Sequence, residues 1–221
     1  MNKFLILIVF IIYCLNVNAW KDDTHIMFAE NVYYSMPDEL QAKLNLSRMK
    51  EGSVAPDKDF KDFKRHHYPD SLYLSKLWLN NKTDVSYSFG VASHYISDSF
   101  VAPHNIVGEK YNDHAYFESQ AFYYSPKAKC KDYGFKLDEL KIATKNKQDW
   151  NKWLNGKDRE IVHEEVDEAM AFVYSIAINY FNYTCRYESE IIYENFYDKK
   201  DIIFSSIIFI SGLPLLYFFK N

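Results

Sequence analysis

The sequence predicts an all-α protein: a compact single-domain helical bundle, preceded by a signal peptide and followed by a transmembrane helix. Three observations predict it. Only six glycines and six prolines punctuate 221 residues, few for a fold rich in turns. The longest segment of the body, Arg159 to Tyr183, carries Val162, Val166, Ala169, Met170, Val173, Ala177 and Tyr180 at helical spacing. No strand-like alternation competes over a useful length.

Residues 1–19 read as the signal peptide. Asn2 and Lys3 form a short charged start, Phe4 to Leu15 an apolar run, and Asn16-Val17-Asn18-Ala19 a polar stretch ending in a small residue. Cleavage after Ala19 leaves Trp20 as the new N-terminus; the alternative is an uncleaved anchor. The body spans residues 20–195. Asp22, Asp23 and Thr24 offer N-terminal capping chemistry for a first helix, which Pro37 closes. Asp84 to Val101 predicts a central helix, with Pro103 just beyond it, and a further helical stretch surrounds Tyr111 to Tyr124. There is no internal repeat and no low-complexity linker. Residues 202–219, Ile202 to Phe219, are uncharged, with Lys199, Lys200 and Asp201 before them and Lys220 and Asn221 after. A membrane span needs about 20 such residues, and Pro214 is tolerable within it. The expectation is an exported protein anchored in the cell membrane through this C-terminal helix, with the body outside.

The formal charge is −4. Loss of Lys3 with the signal leaves 25 basic against 30 acidic residues, or −5. Such a surface disfavours duplex nucleic acid as a partner, because duplex binding depends on phosphate neutralisation. Of three cysteines, Cys14 leaves with the signal. Cys130 and Cys185 remain as a disulfide or as two free thiols. Sequons at Asn45, Asn81 and Asn182 are compatible with export.

Chemistry concentrates at the seven histidines, His25, His66, His67, His94, His104, His114 and His163. In His94-Tyr-Ile-Ser-Asp98 and in His114-Ala-Tyr-Phe-Glu118 the partners are four apart. One helical turn separates them, so both side chains leave the same face. Taken singly, such a pair is more often a surface ion pair. Two pairs with His104 between them, just past Pro103, can build a buried multi-metal centre of imidazole nitrogen and carboxylate oxygen.

From Trp20 onward the order of these residues resembles the zinc-dependent phospholipase C and single-strand-specific nuclease superfamily. The matching elements are Trp20, His25 in the first helix, Asp57 in Gly-Ser-Val-Ala-Pro-Asp, His67 in His-Tyr-Pro-Asp, His94/Asp98/His104 and His114/Glu118. Beyond residue 118 the match is to a helical scaffold only. The resemblance implies a cluster of three Zn2+ ions between the helices. One site would use Asp57, His67, His94 and Asp98; a second, His104, His114 and Glu118; a third, Trp20, His25 and Asp98, so that Asp98 bridges two metals. Trp20 would bind through its free amine and carbonyl oxygen, which makes signal cleavage part of site assembly; the amine must lose its proton to bind. Asp57 would also serve as the catalytic general base. His66 adjoins His67 and either can be the ligand; the family's aromatic residue directly after the ligand favours His67. His163 reads as structural or surface.

The implied activity is metal-assisted hydrolysis of phosphate esters with metal-activated water as nucleophile. The preferred form is phospholipase C-type cleavage of phospholipid head groups, and the substrate a phospholipid or another phosphoester. Glu118 and His-Tyr-Pro-Asp lean to the phospholipase branch; the five-residue step from Trp20 to His25 is closer to the nucleases. Lys58 after Asp57, and Lys64 three before His67, stand where choline-binding phospholipases place aromatic residues. A lysine would repel a quaternary ammonium, which argues against phosphatidylcholine. The alternatives are a single-strand nuclease or nucleotidase, and a non-catalytic zinc-binding surface protein.

Overall fold

The computed structural model describes residues 22–130, 136–145 and 147–183. All of them fall in one compact unit, Met1–Ser189. The signal peptide, Trp20, Cys185 and the C-terminal apolar run lie outside the described residues. Among those described, the chain is all helical: α1 (Asp22–Ser35), α2 (Asp38–Gln41), α3 (Leu46–Lys58), α4 (Asp70–Asn80), α5 (Val85–Asp98), α6 (Tyr111–Ser119), α7 (Lys147–Gly156) and α8 (Arg159–Tyr180). Two 3-10 turns, Ala102–Asn105 and Leu137–Lys145, interrupt the series. No helix among the described residues is long and apolar enough to cross a membrane.

Helix starts follow side-chain capping. Asn45 Oδ1 accepts from the Arg48 amide at 3.2 Å, Asp84 Oδ1 from Tyr87 at 2.9 Å, and Asp158 Oδ1 from Glu160 at 3.1 Å. The central helix is shorter than its sequence expectation and stops at Asp98 rather than Val101. Phe100 and Val101 donate instead to the Ser97 and Asp98 carbonyls, three residues back, and Pro103 cannot extend an α-helical ladder. The segment expected to be helical to Tyr124 ends at Ser119, and Tyr123 takes a positive φ of 67°. The last helix ends at Tyr180 rather than Tyr183.

Helix α5 is buried on every face from Ser88 to Asp98, as a helix wrapped by others must be. It packs against α1, α3, α4 and α8. Two glycines let α3 and α5 touch backbone to backbone. A Cβ on Gly52 would lie 2.1 Å from the Tyr87 carbonyl oxygen, and one on Gly90 would lie 2.2 Å from that of Met49. Phe28, Val32, Met49, Phe89, Ile96, Phe117, Trp153, Val166, Met170 and Val173 fill the core around this axis. Cys130 is disulfide-bonded.

Candidate metal centre

Five segments converge beside the C-terminal half of α5. His25 comes from α1, Asp57 from the last turn of α3 and His66 from the loop that follows. His94 and Asp98 come from α5, His104 from the 3-10 turn, and His114 and Glu118 from α6. Asp98 is the hub. His66 Nδ1 stands 2.8 Å from Asp98 Oδ2, His94 Nε2 3.4 Å from it and His104 Nδ1 3.9 Å from it. His25 Nε2 approaches Asp98 Oδ1 at 3.4 Å. Asp57 Oδ1 faces His66 Nε2 at 3.6 Å and His94 Nε2 at 3.9 Å. On the other side, Glu118 Oε1 sits 3.0 Å from both His104 Nε2 and His114 Nε2. Three groups have ligand atoms close enough to share an ion: His25/Asp57/His94, His66/His94/Asp98 and His104/His114/Glu118.

Outer partners orient the rings. His94 Nδ1 donates to the Ser53 carbonyl at 2.7 Å and His104 Nδ1 to the Asp98 carbonyl at 3.1 Å. His114 Nδ1 faces Glu109 Oε1 at 3.2 Å. The Ser97 hydroxyl donates to the His94 carbonyl at 3.0 Å and faces His25 Nδ1 at 3.4 Å. These contacts turn Nε2 of each ring toward the cluster, the orientation that metal-bound histidines require. Sequence reasoning missed Glu109, Ser53 and Ser97 because outer partners carry no spacing signal.

The site is laid out for positive charge. Burial discourages ionisation of Asp98. The charges of His25 and His94, the hydrogen bond with His66 and the charge of His104 outweigh it and hold the carboxyl far below the ordinary range. Burial likewise opposes Glu118, but the hydrogen bonds from His104 and His114 keep it below its usual value. For His104 burial disfavours the charged ring, yet the hydrogen bond to Glu118 and the charge of Asp98 push it up to about 9. His66 and His114 rise for the same reason: hydrogen bonds to Asp98 and Glu118, respectively, overcome burial. His94, fully buried and next to His25, is pushed well below its ordinary value. Burial and the charge of Asp98 raise Asp57.

His66 Nε2, His94 Nε2, Asp98 Oδ1 and Glu118 Oε2 are buried without a hydrogen-bond partner. Each such atom costs about 1–3 kcal/mol. Nitrogen and carboxylate oxygen facing one another in this way fit a divalent ion of the zinc type.

Seven of the nine residues singled out in the sequence meet here: His25, Asp57, His94, Asp98, His104, His114 and Glu118. Trp20 lies outside the described residues. At the ninth position the structure turns the neighbour of His67 inward: His66 is buried among Asp57, His94 and Asp98, while His67 is half-buried and makes none of these approaches among the described contacts. Adjacent loop residues project in different directions, so only one of the two imidazoles can turn inward. The loop is pinned so that His66 does. Asp62 is held by Arg65 at 2.9 Å and accepts from the Tyr95 hydroxyl at 2.9 Å, and the Tyr95 ring lies edge-on to His66. The shift of one residue also moves the position three before the ligand from Lys64 to Phe63, an exposed aromatic. The argument from Lys64 against a choline head group therefore falls; the one from Lys58 stands. His163 stands apart on α8, stacked on Tyr124 with ring centroids 3.9 Å apart.

A helical body that gathers imidazoles and carboxylates around buried, unsatisfied donor atoms is built as a multi-metal hydrolytic centre. Residues 24–170, about two thirds of the chain, match the family described as zinc dependent phospholipase C, and the chain belongs to that family of hydrolases. Zinc is accordingly its implied metal. Comparison with curated proteins and with solved structures gives no match.

Proposed function

We propose that this chain is a phospholipase C-type enzyme that removes phosphorylated head groups from phospholipids with a three-zinc centre. The family match and the convergence of eight side chains from six segments support the reading. The observation that carries it is the set of buried lone pairs left without partners. Asp57, His66, His94 and Asp98 would hold one ion and His104, His114 and Glu118 a second. His25, Asp98 and the Trp20 N-terminus would hold a third. Zinc at these positions supplies Lewis acidity toward phosphoryl oxygens and lowers the pKa of water toward neutrality.

The chain's own groups do the rest. Asp98 ties the subsites together by facing imidazoles from α1, α5, the α3–α4 loop and the 3-10 turn. Asp57, with its side chain 31 % accessible, stands where the cluster meets solvent and is the group placed to take a proton from attacking water. Glu109 holds the His114 ring in one tautomer. Export through residues 1–19 and anchoring through residues 202–219 complete the proposal: the centre would work outside the cell, close to a bilayer.

The test is direct. Chain beginning at Trp20 should carry about three zinc ions and release diacylglycerol from at least one phospholipid class. Absence of bound zinc removes the catalytic reading. Activity confined to single-stranded nucleic acid replaces it with the nuclease reading.

A further inference from the structure

The buried and open sides of the centre differ. His25, His94, Asp98 and Glu118 are almost wholly enclosed, at most 3 % accessible. Asp57, His104 and His114 are 31, 15 and 20 % accessible. The mouth therefore lies where the loop after α3 and the loop between the 3-10 turn and α6 run past these three residues.

Both loops, and the first residue of α6, push apolar side chains into solvent. Phe63, three residues before His66, is 67 % exposed. Val107, three residues after His104, is fully exposed, and Tyr111, three residues before His114, is 71 % exposed. The imidazoles to which they are tethered lie close together, with ring centroids 6.0 Å apart for His66 and His104 and 5.0 Å apart for His104 and His114. Three residues of chain reach at most about 11 Å, which keeps each apolar tip within that reach of one of these clustered imidazoles. Gly108, with φ of 79°, sits where an added Cβ would touch nothing, so this loop stands clear of the body. Isolated exposed apolar residues are ordinary; several around one opening mark an interaction surface.

Charge says what the surface meets. The chain is acidic overall, at −4, yet Lys61, Lys64 and Lys110 are exposed between these apolar tips. Two of the nearby carboxylates are taken up, Asp62 by Arg65 and Glu109 by the His114 ring. Apolar tips flanked by lysines fit a bilayer interface: the tips enter the acyl boundary and the ammonium groups stay among anionic head groups.

We infer that the rim formed by these two loops docks on an anionic lipid bilayer and sets the mouth of the centre against it. The inference deepens the phospholipase reading and rests on it for the substrate, while docking itself can be measured without turnover.

The test uses the full chain and reads rim contact from the dye rather than from vesicle binding, because residues 202–219 would tether the chain to any bilayer whatever the rim does. Val107→Cys carries an environment-sensitive dye, with signal from the unsubstituted chain subtracted. Lys43→Cys is the control, because Lys43 is exposed and lies beyond the start of α3, about 18 Å along the helix from its last turn. On mixed phosphatidylserine/phosphatidylcholine vesicles the Val107 dye should shift to the blue and be quenched by brominated lipid, more strongly than on phosphatidylcholine alone, and the Lys43 dye should do neither. The double variant Lys61→Gln/Lys110→Gln should weaken docking about 30-fold, about fivefold per lysine. It should lose hydrolysis of vesicle lipid in proportion and keep its rate on a monomeric short-chain phospholipid. A silent Val107 dye on anionic vesicles, or a double variant that hydrolyses vesicles at the wild-type rate, overturns the inference and leaves the rim to another partner. A responsive dye in a protein that cleaves no phospholipid, monomeric or vesicular, overturns the phospholipase reading and leaves the docking surface standing.

Discussion

Replacing Gly90 with alanine tests whether the metal centre depends on the contact between α3 and α5. The new Cβ would sit 2.2 Å from the Met49 carbonyl oxygen and 2.9 Å from the Ser53 amide nitrogen, where ordinary contact begins at 3.4 Å. Both obstacles are backbone atoms, so no side chain can swing away. Helix α3 has to retreat by about 1 Å, which stretches the 2.7 Å bond from His94 Nδ1 to the Ser53 carbonyl beyond hydrogen-bonding range. Asp57, one turn further along α3, retreats with it. Overpacking costs about 1–3 kcal/mol and the lost hydrogen bond about 0.5–1.5 kcal/mol; better helix propensity returns about 0.5–1 kcal/mol. The net loss of about 2 kcal/mol lowers Tm by about 4–8 °C in a domain of this size. Zinc per chain should fall by about one, because Asp57 and His94 separate while His104, His114 and Glu118 are untouched. Calorimetry and elemental analysis read the two effects. Gly156→Ala, where an added Cβ meets nothing within 4 Å, is the control: it should keep its zinc and should not lower Tm, since it has only the helix-propensity gain. A Gly90→Ala protein with wild-type Tm and zinc content would refute the idea that this close approach builds the site.

Two other substitutions probe different links. His66→Ala should lose one zinc and more activity than the about 10–100-fold that removal of an outer partner costs, whereas His67→Ala should keep its zinc and its rate; the reverse pattern, by metal analysis and turnover, restores His67 as the ligand. Glu165 is buried and accepts from the Ala102 amide at 3.0 Å, and burial raises its pKa well above the usual value. Its neutral form contributes fully below about 4.5, the unfolded value, and that contribution declines as pH rises toward the folded value. Glu165→Gln should therefore gain Tm relative to wild type as pH goes from 6 to 8.5; a difference that does not change with pH, or that shrinks, contradicts a neutral Glu165.

What the sequence made legible was periodic chemistry. His94 with Asp98 and His114 with Glu118 are one helical turn apart, and a helix turns that spacing into a shared face whatever the rest of the fold does. The buried α5 was readable too, as was its arrest near Pro103. The choice between His66 and His67 was not settled by periodicity, because they lie in a loop whose direction is set by Asp62, Arg65 and Tyr95. Those partners are 3 to 33 residues apart in the chain. The glycine crossing was hidden for a similar reason: Gly52 and Gly90 matter only because the two helices meet there. The state of Cys130 was open from the sequence, and the structure shows it oxidised.

The most buried helix of the core is also the one that supplies the hub of the centre, and this ties stability to the metal. His94 and Asp98 occupy α5 positions where an apolar residue would have strengthened the core. Instead they hold lone pairs that no protein donor meets. With His66 Nε2 and Glu118 Oε2 there are four such atoms, and at about 1–3 kcal/mol each they approach the whole stability of about 5–15 kcal/mol that a domain of this kind retains. Burial opposes charge on all four rings, but hydrogen bonds to Asp98 and Glu118 raise His66, His104 and His114, while burial and the neighbouring His25 lower His94. A proton has one direction of bonding, and a divalent ion meets four donors at once. An ion bound here would make its binding part of the folding free energy and would hold α1, α3, α5 and α6 in register along with their apolar faces.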